Sequence, residues 1–116
     1  PANQRQLGRY PWLSLECYSL RFDLNGLRLA YSADLALATP AGSDEFRPVV
    51  EGAQVIISEV AHVVPEEHLE MLAQTAAQKI ILVHIHKNLR ERVASLVAAR
   101  GDRRFIIAQN GMRIPV

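Results

Sequence analysis

Hydrophobic residues recur at every second position in the first patterned stretch of the chain. The alternation runs through residues 18–24 and resumes over residues 27–31, with mostly polar side chains in between. Asn25-Gly26 separates the two runs and favours the two-residue turn whose central residues both need positive φ. The pattern predicts a β-hairpin with one apolar face. That face must pack against other elements, because an isolated hairpin is marginal in water.

Three runs of continuous apolar residues come later and are typical of strands covered on both faces. They occupy residues 55–57, 80–83 and 105–108. Residues 38–52, which precede the first of these runs, contain two prolines and two glycines. This composition predicts a surface connection with a short turn.

Two helical patterns lie between these runs. Pro65 with two following glutamates begins the first, since proline and acidic residues favour a first helical turn. Asn88 is predicted to cap the second helix, and Gly101 to end it. Apolar stripes at helical spacing complete both patterns. Their members are Leu69, Leu72, Ala73 and Ala76 in the first helix and Leu89, Val93, Leu96 and Val97 in the second.

The order of hairpin, strand, helix, strand, helix, strand predicts an α/β layer with crossover connections. The helices would cover one face of the sheet, and no segment is left to cover the other. We therefore expect an exposed apolar sheet face, and with it pairing to a companion layer or a homo-oligomer such as a dimer. Residues 1–17 show no periodicity and predict a loop or a severed connection, so the domain spans residues 18–116.

Composition narrows the class of protein. A chain of 116 residues with 49% hydrophobic residues and net charge +1 is suited to one globular domain. A single cysteine, Cys17, excludes an internal disulfide framework and fits a reducing, cytoplasmic compartment. No apolar run approaches the roughly 20 residues needed to cross a bilayer, so no membrane partner is expected.

Charge is distributed unevenly along the chain. From Lys87 onward the charged residues are mostly basic and could attract a polyanion. The alternative is a solvated helix face, favoured because no aromatic residues interleave the cations.

Side chains that can bind metals follow three predicted strands, at the ends where open α/β sheets place their sites. Asp34 follows the hairpin, Glu59 and His62 follow the next strand, and His84 and His86 end the strand after that. A carboxylate and an imidazole converging from neighbouring strand ends are suitable ligands for Zn²⁺ or Mn²⁺.

Ordinary roles remain open for each of these residues. Asp34 can cap a turn, and Glu59 can bind a nearby arginine or a backbone amide. A histidine at a strand end can simply be hydrogen-bonded or exposed. His68 is expected to face solvent from the first helix.

The order of these segments resembles the C-terminal half of the metallo-β-lactamase superfamily, most of all the branch of tRNase Z and related phosphodiesterases. The resemblance covers residues 18–116 and implies the second half of a two-sheet αββα sandwich. The matching segments are Tyr31-Ser32-Ala33-Asp34 after the hairpin, Ser58-Glu59 with His62 before a helix, Leu82-Val83-His84 at a strand end, and Asn110-Gly111 before a closing strand over residues 112–114.

The resemblance also implies roles for single residues. Asp34 matches the aspartate that bridges two metal ions, and His84 matches the late metal-binding histidine. His62 falls where the branch has a histidine near the scissile group, and Glu59 matches the acidic residue that orients it. His84 is preferred as ligand over His86, because alternation along a strand would put the two rings on opposite faces. The implied cofactor is a pair of Zn²⁺, or Mn²⁺, ions, and the implied substrate is a phosphodiester such as RNA or a cyclic nucleotide.

This chain departs from the family in two respects. Ala33 and Leu35 stand where the family usually has glycine and threonine. The motif His-x-His-x-Asp-His and the intermediate metal-binding histidine are absent, and two ligands cannot fix two ions. We therefore expect the chain to be inactive alone and completed by an N-terminal half, from a companion chain or a segment ahead of Pro1. The alternatives are a non-catalytic binding or assembly module that keeps the half-fold, and a small α/β domain with structural histidines.

Overall fold

The structure is a computed structural model that describes residues 19–33, 35 and 46–116. In this part of the chain the fold is mixed α/β, as predicted; the segment predicted over residues 1–17 lies outside it. Residues 46–50 are helical, and a 3₁₀ turn spans Lys87–Leu89. The strands are β1 (Leu20–Leu24), β2 (Leu27–Tyr31), β3 (Val55–Val60), β4 (Lys79–Ile85) and β5 (Phe105–Ile107), and the longer helices are α1 (Pro65–Ala73) and α2 (Arg90–Arg100).

All five strands form one sheet in the order β1-β2-β3-β4-β5. β1 and β2 are antiparallel, whereas each later neighbour pair is parallel. Asn25 and Gly26 have φ of 50° and 84°, as the predicted hairpin turn requires. The carboxyl ends of β2 to β5 therefore meet at one border of the sheet, called here the carboxyl edge.

The helices pack on one face of this sheet and bury the main core there. Phe46 and Val50 belong to that core, so the prediction of a surface connection at residues 46–50 is wrong. Their spacing of four places both side chains on one helical face. The core side chains are Ala30, Leu35, Phe46, Val50, Ala53, Ile56, Val60, Val63, Leu69, Met71, Leu72, Ala77, Ile80, Leu82, Val93 and Phe105.

The opposite face of the sheet is also apolar, and its outer part is exposed. The hairpin register pairs Leu20, Phe22 and Leu24 with alternate residues of β2, so these side chains share a face. They are 43%, 41% and 56% exposed, whereas Val55 and Ile81 at the centre of the sheet are buried. We call this surface the apolar face. Its apolar members are Leu20, Phe22, Leu24, Leu27, Leu29, Tyr31, Val55, Ile57, Ile81, Val83 and Ile106, and the same register places Glu59 and Lys79 on this side of the sheet.

α1 ends at Ala73, before the end of its predicted apolar stripe at Ala76. The guanidinium of Arg104 donates hydrogen bonds of 2.7 Å to the carbonyl oxygens of Ala73 and Thr75. Asp102 pairs with the same guanidinium at 2.7 Å. These bonds stabilise a non-helical path for the residues that follow α1.

The predicted cap of α2 is wrong, but its predicted end is confirmed. Asn88 lies in the 3₁₀ turn, where its N–H donates to Nδ1 of His86 at 3.2 Å, and α2 begins at Arg90 without a side-chain cap. Gly101 ends the helix with φ of 66°, and its N–H donates to the carbonyl of Val97. A left-handed glycine at this place is the usual helix terminator.

The closing strand predicted over residues 112–114 is not formed, although the turn before it is. The N–H of Met112 donates to the carbonyl of Gln109 at 3.0 Å, and residues 112–116 carry no regular structure.

Several cations of the basic third are paired on the surface. Arg92 forms an ion pair with Glu66, and Arg100 pairs with Glu70 at 2.7 Å. These contacts link α2 to α1 and favour a solvated helix face over a polyanion surface along this part of α2. Within the described residues, no helix combines the length and apolar character needed to span a bilayer.

Candidate functional site

His62 and His84 meet at the carboxyl edge of the sheet. Their ring centroids lie 5.8 Å apart, with the ring planes at 81°. β3 and β4 are parallel neighbours, so the residues that end them are brought to the same place. Two of the four predicted site residues are therefore adjacent. Asp34, the predicted metal-bridging residue, lies outside the described residues.

A β-bulge sets the position of His84. Glu59 pairs with Val83, and Val60 pairs with Ile85, which leaves His84 as the extra residue on β4. His84 has φ of 45°, in the left-handed region that non-glycine residues rarely adopt. Bulges of this kind redirect a side chain and are frequent next to functional sites. The bulge, together with the end of β4 at Ile85, replaces the simple alternation that the sequence predicts for this region.

The carboxylate of Glu59 connects the two loops that carry the candidate residues. Oε1 accepts the N–H of Leu35 at 3.2 Å, and Oε2 accepts the N–H groups of Ala61 and His62, the latter at 3.2 Å. Glu59 is only 2% exposed. The sequence left open that Glu59 binds a backbone amide. The structure shows this role, because the carboxylate accepts N–H groups from the loop at Leu35 and from the loop at His62. It therefore positions His62 through the backbone.

Burial raises the pKa of the Glu59 carboxyl above its ordinary value. The N–H donors of Ala61, Leu35 and His62 oppose this shift, as does the nearby charge of His62, because each favours the ionised carboxylate. The carboxyl is thus held in a dry environment with its oxygens committed to backbone groups.

Ser32 is a member of the site that sequence reasoning missed. Its Oγ accepts the N–H of Glu59 at 2.8 Å and donates to the carbonyl of Ala33 at 2.9 Å. Its own N–H donates to the carbonyl of Ile57 at 3.0 Å, and Ser19 Oγ donates to its carbonyl at 2.8 Å. The sequence signal that indicates such a role for Ser32 is its position as a small polar residue directly after an apolar strand. Ser32 holds the end of β2 against β3.

Ala33, next to Asp34, has φ of 50°. For a residue with a Cβ the left-handed conformation costs about 1–2 kcal/mol, whereas glycine adopts it freely. This conformation explains on physical grounds why a glycine suits the position.

We expect Ala33→Gly to raise the free energy of unfolding by about 1 kcal/mol, since the relief of left-handed strain exceeds the added entropy of the unfolded chain. Denaturant unfolding monitored by circular dichroism measures the change. Ala94→Gly, in the exposed middle of α2, is the matched control and should instead cost about 1 kcal/mol. A lower free energy of unfolding in Ala33→Gly would contradict the left-handed strain inferred for Ala33.

His68 is fully buried, so the prediction that it faces solvent is wrong. Its Nε2 lies 2.7 Å from Ser58 Oγ, and its ring stacks on Phe46 with centroids 6.3 Å apart. Desolvation lowers the pKa of His68 to about 4. The helical spacing contained this information, because His68 lies four residues before the core residue Leu72. The Ser58–His68 pair is sealed in the core and stabilises the packing of α1 on β3.

The described residues contain no cluster of three or more His, Cys, Asp or Glu side chains suited to hold a metal ion. The imidazole of His84 is a donor that Zn²⁺ accepts, and it would supply one ligand of a coordination sphere. A histidine ligand is compatible with zinc, and the remaining ligands would have to come from outside the described residues. Comparison of the chain with protein-family models, with curated proteins and with solved structures found no match.

Proposed function

We propose that this chain supplies part of the active site of a metal-dependent hydrolase that acts on a phosphodiester such as RNA or a cyclic nucleotide. One observation carries the proposal: the Glu59 carboxylate secures the loops at Leu35 and His62 where the His62 ring meets His84. The buried Glu59 carboxyl and the left-handed φ of His84 each reduce the free energy of unfolding, and both residues lie with His62 at one edge of the sheet. Energetically unfavourable groups of this kind are typical of functional sites.

Each residue has a proposed role. His84 and Asp34 hold the metal, either Zn²⁺ or Mn²⁺. When bound, the metal ions lower the pKa of a coordinated water toward neutrality and so provide a nucleophile. His62 donates a proton to the leaving oxygen as a general acid. Glu59 keeps the backbone of His62 in place, because its carboxylate accepts the His62 N–H.

A companion N-terminal half of the same sandwich supplies the remaining ligands in this proposal. The apolar face supports it, since Leu20, Phe22 and Leu24 expose large side chains that a second sheet would cover. The chain alone is therefore expected to be inactive. A cytoplasmic location belongs to the same proposal.

Zinc uptake tests the proposal. In the chain alone, Zn²⁺ should bind weakly and shift the ring NMR signals of His84, with smaller shifts at His62 through its ring contact with His84. Mixing with a companion polypeptide that carries the motif His-x-His-x-Asp-His should give tight, stoichiometric uptake and hydrolysis of a model phosphodiester. His84→Ala should abolish uptake and hydrolysis, whereas His86→Ala, at the 3₁₀ turn, should leave both intact.

The same experiment decides between the proposal and its alternative, a non-catalytic binding or assembly module. The lack of a three-ligand cluster among the described side chains favours this alternative, as do Ala33 and Leu35 beside the candidate ligand. Formation of a stable complex with no zinc uptake and no hydrolysis supports the module and contradicts the hydrolase.

A further inference from the structure

A groove of about 600 Å³ opens beside His84 at the carboxyl edge of the sheet. The ends of β4 and β5 and the first turns of α2 form its walls, and the apolar residues Ile85, Ala94 and Ile107 are among those that line it. A volume of this size suits a small-molecule ligand. Open α/β sheets bind ligands in crevices outside the carboxyl ends of their strands, which is where this groove lies.

Polar groups lining the groove have unused hydrogen-bonding capacity. Arg90, Gln109 and Asn110 line it and are exposed. Within the part of the chain that the structure describes, none of their side chains makes a hydrogen bond or an ion pair. Arg92 and Arg100 of the same helix are both paired with glutamates of α1. Arg90 is therefore distinct from these two arginines, because its guanidinium is available to a ligand.

The chemistry of the lining specifies the ligand. No carboxylate is among the described lining residues, so Arg90 makes the groove attractive to an anion. A guanidinium binds phosphate oxygens through two parallel hydrogen bonds. The side-chain amides of Gln109 and Asn110 each offer a donor and an acceptor, which is the pattern that reads the edge of a nucleobase. The apolar walls suit the flat faces of the same base.

We propose that this groove binds one nucleotide of the substrate, with its phosphate on Arg90, its base between the apolar walls and its base edge at Gln109 and Asn110. The choice of a nucleotide over other planar anions rests on the proposed function. Because His84 lines the groove, a nucleotide bound there places the adjoining phosphodiester beside the candidate site.

Titration of AMP into the 116-residue chain without metal, followed by amide NMR spectra, tests the proposal. Saturable shifts are expected at Ala94, Ile107 and Asn110. Arg90→Ala should weaken AMP binding by about tenfold. Arg103→Ala is the matched control, because Arg103 is exposed and precedes β5 at the opposite edge of the sheet. It should leave the affinity unchanged.

Adenosine and ribose 5-phosphate separate the two halves of the ligand, and each should bind about tenfold more weakly than AMP. The proposal is overturned by no saturable AMP binding, by equal losses in the two arginine variants, or by shifts confined to the apolar face or to the cavities around Gly52. Failure of this test alongside tight zinc uptake overturns only the nucleotide groove. AMP binding in a protein that takes up no zinc overturns only the hydrolase.

Discussion

Glu59→Ala should lower the free energy of unfolding by about 3 kcal/mol, because backbone N–H groups of Leu35, Ala61 and His62 lose their acceptor. A buried donor left without a partner costs about 1–3 kcal/mol, and water entering the vacated space recovers part of the loss. The melting temperature should fall by on the order of 15 °C. Thermal and urea unfolding, both monitored by circular dichroism, measure the effect.

Two further variants make this prediction specific. Glu59→Gln should cost about 1–2 kcal/mol, less than Glu59→Ala, because its single carbonyl oxygen keeps the acceptor on one side while its NH2 leaves the donor on the other side without a partner. Glu70→Ala removes an exposed glutamate that pairs with Arg100, and it should cost at most about 1 kcal/mol.

Local order gives a second readout of the same role. The amide signals of Leu35, Ala61 and His62 should shift and lose protection from exchange in Glu59→Ala. Stability equal to that of Glu70→Ala, with these three amides unchanged, would show that Glu59 does not hold the loops.

Elements defined by neighbouring residues could be predicted from the sequence. Asn25-Gly26 predicts its turn because few other dipeptides adopt positive φ twice without strain. Pro65 predicts the start of α1, and Gly101 predicts the end of α2, through backbone preferences of single residues. The meeting of His62 and His84 follows from parallel strands that end at a common edge. In each case the structure is decided either by interactions among a few neighbouring residues or by a known rule of sheet topology.

Features that depend on distant partners could not be predicted. α1 ends at Ala73, whose carbonyl oxygen accepts a hydrogen bond from Arg104, 31 residues later in the chain. Glu59 reaches the N–H of Leu35, 24 residues earlier in the chain, only because the register of β2 and β3 places it there. The bulge that sets His84 depends likewise on the pairing of β3 with β4. Hydrophobic pattern carries no information on such register shifts, since it records which face a residue occupies and not which partner it meets.

Stability should fall by about 3 kcal/mol as the pH is lowered from about 7 to 4, because His68 is buried in its neutral form. The ordinary pKa of 6.5 applies to the unfolded chain, and desolvation lowers the pKa in the folded state to about 4. Above pH 6.5 both states are neutral and the full stability is present. Between these two values only the unfolded state binds the proton, so unfolding becomes progressively easier.

Glu59 contributes with the opposite sign, and the design of the experiment must separate the two groups. Its raised pKa means that the unfolded chain releases a proton first as the pH rises above the ordinary value of 4.5. Stability due to Glu59 is therefore lost as the pH rises through the folded pKa. The difference between wild type and His68→Gln at each pH cancels this contribution, because both proteins retain Glu59.

Urea unfolding of wild type and of His68→Gln, measured at several pH values between 4 and 8, gives the free energy of unfolding of each protein as a function of pH. The free-energy difference between wild type and His68→Gln should be constant above pH 6.5 and should shrink by about 3 kcal/mol toward pH 4. Ala94→Gly provides the control, because it changes the stability of α2 without removing a titratable group and should leave the curve parallel to wild type. A constant difference between wild type and His68→Gln over the whole range would mean that His68 takes up its proton equally well in the folded protein. The Ser58–His68 pair would then be open to water, and the dry packing of α1 against β3 described above would be incorrect.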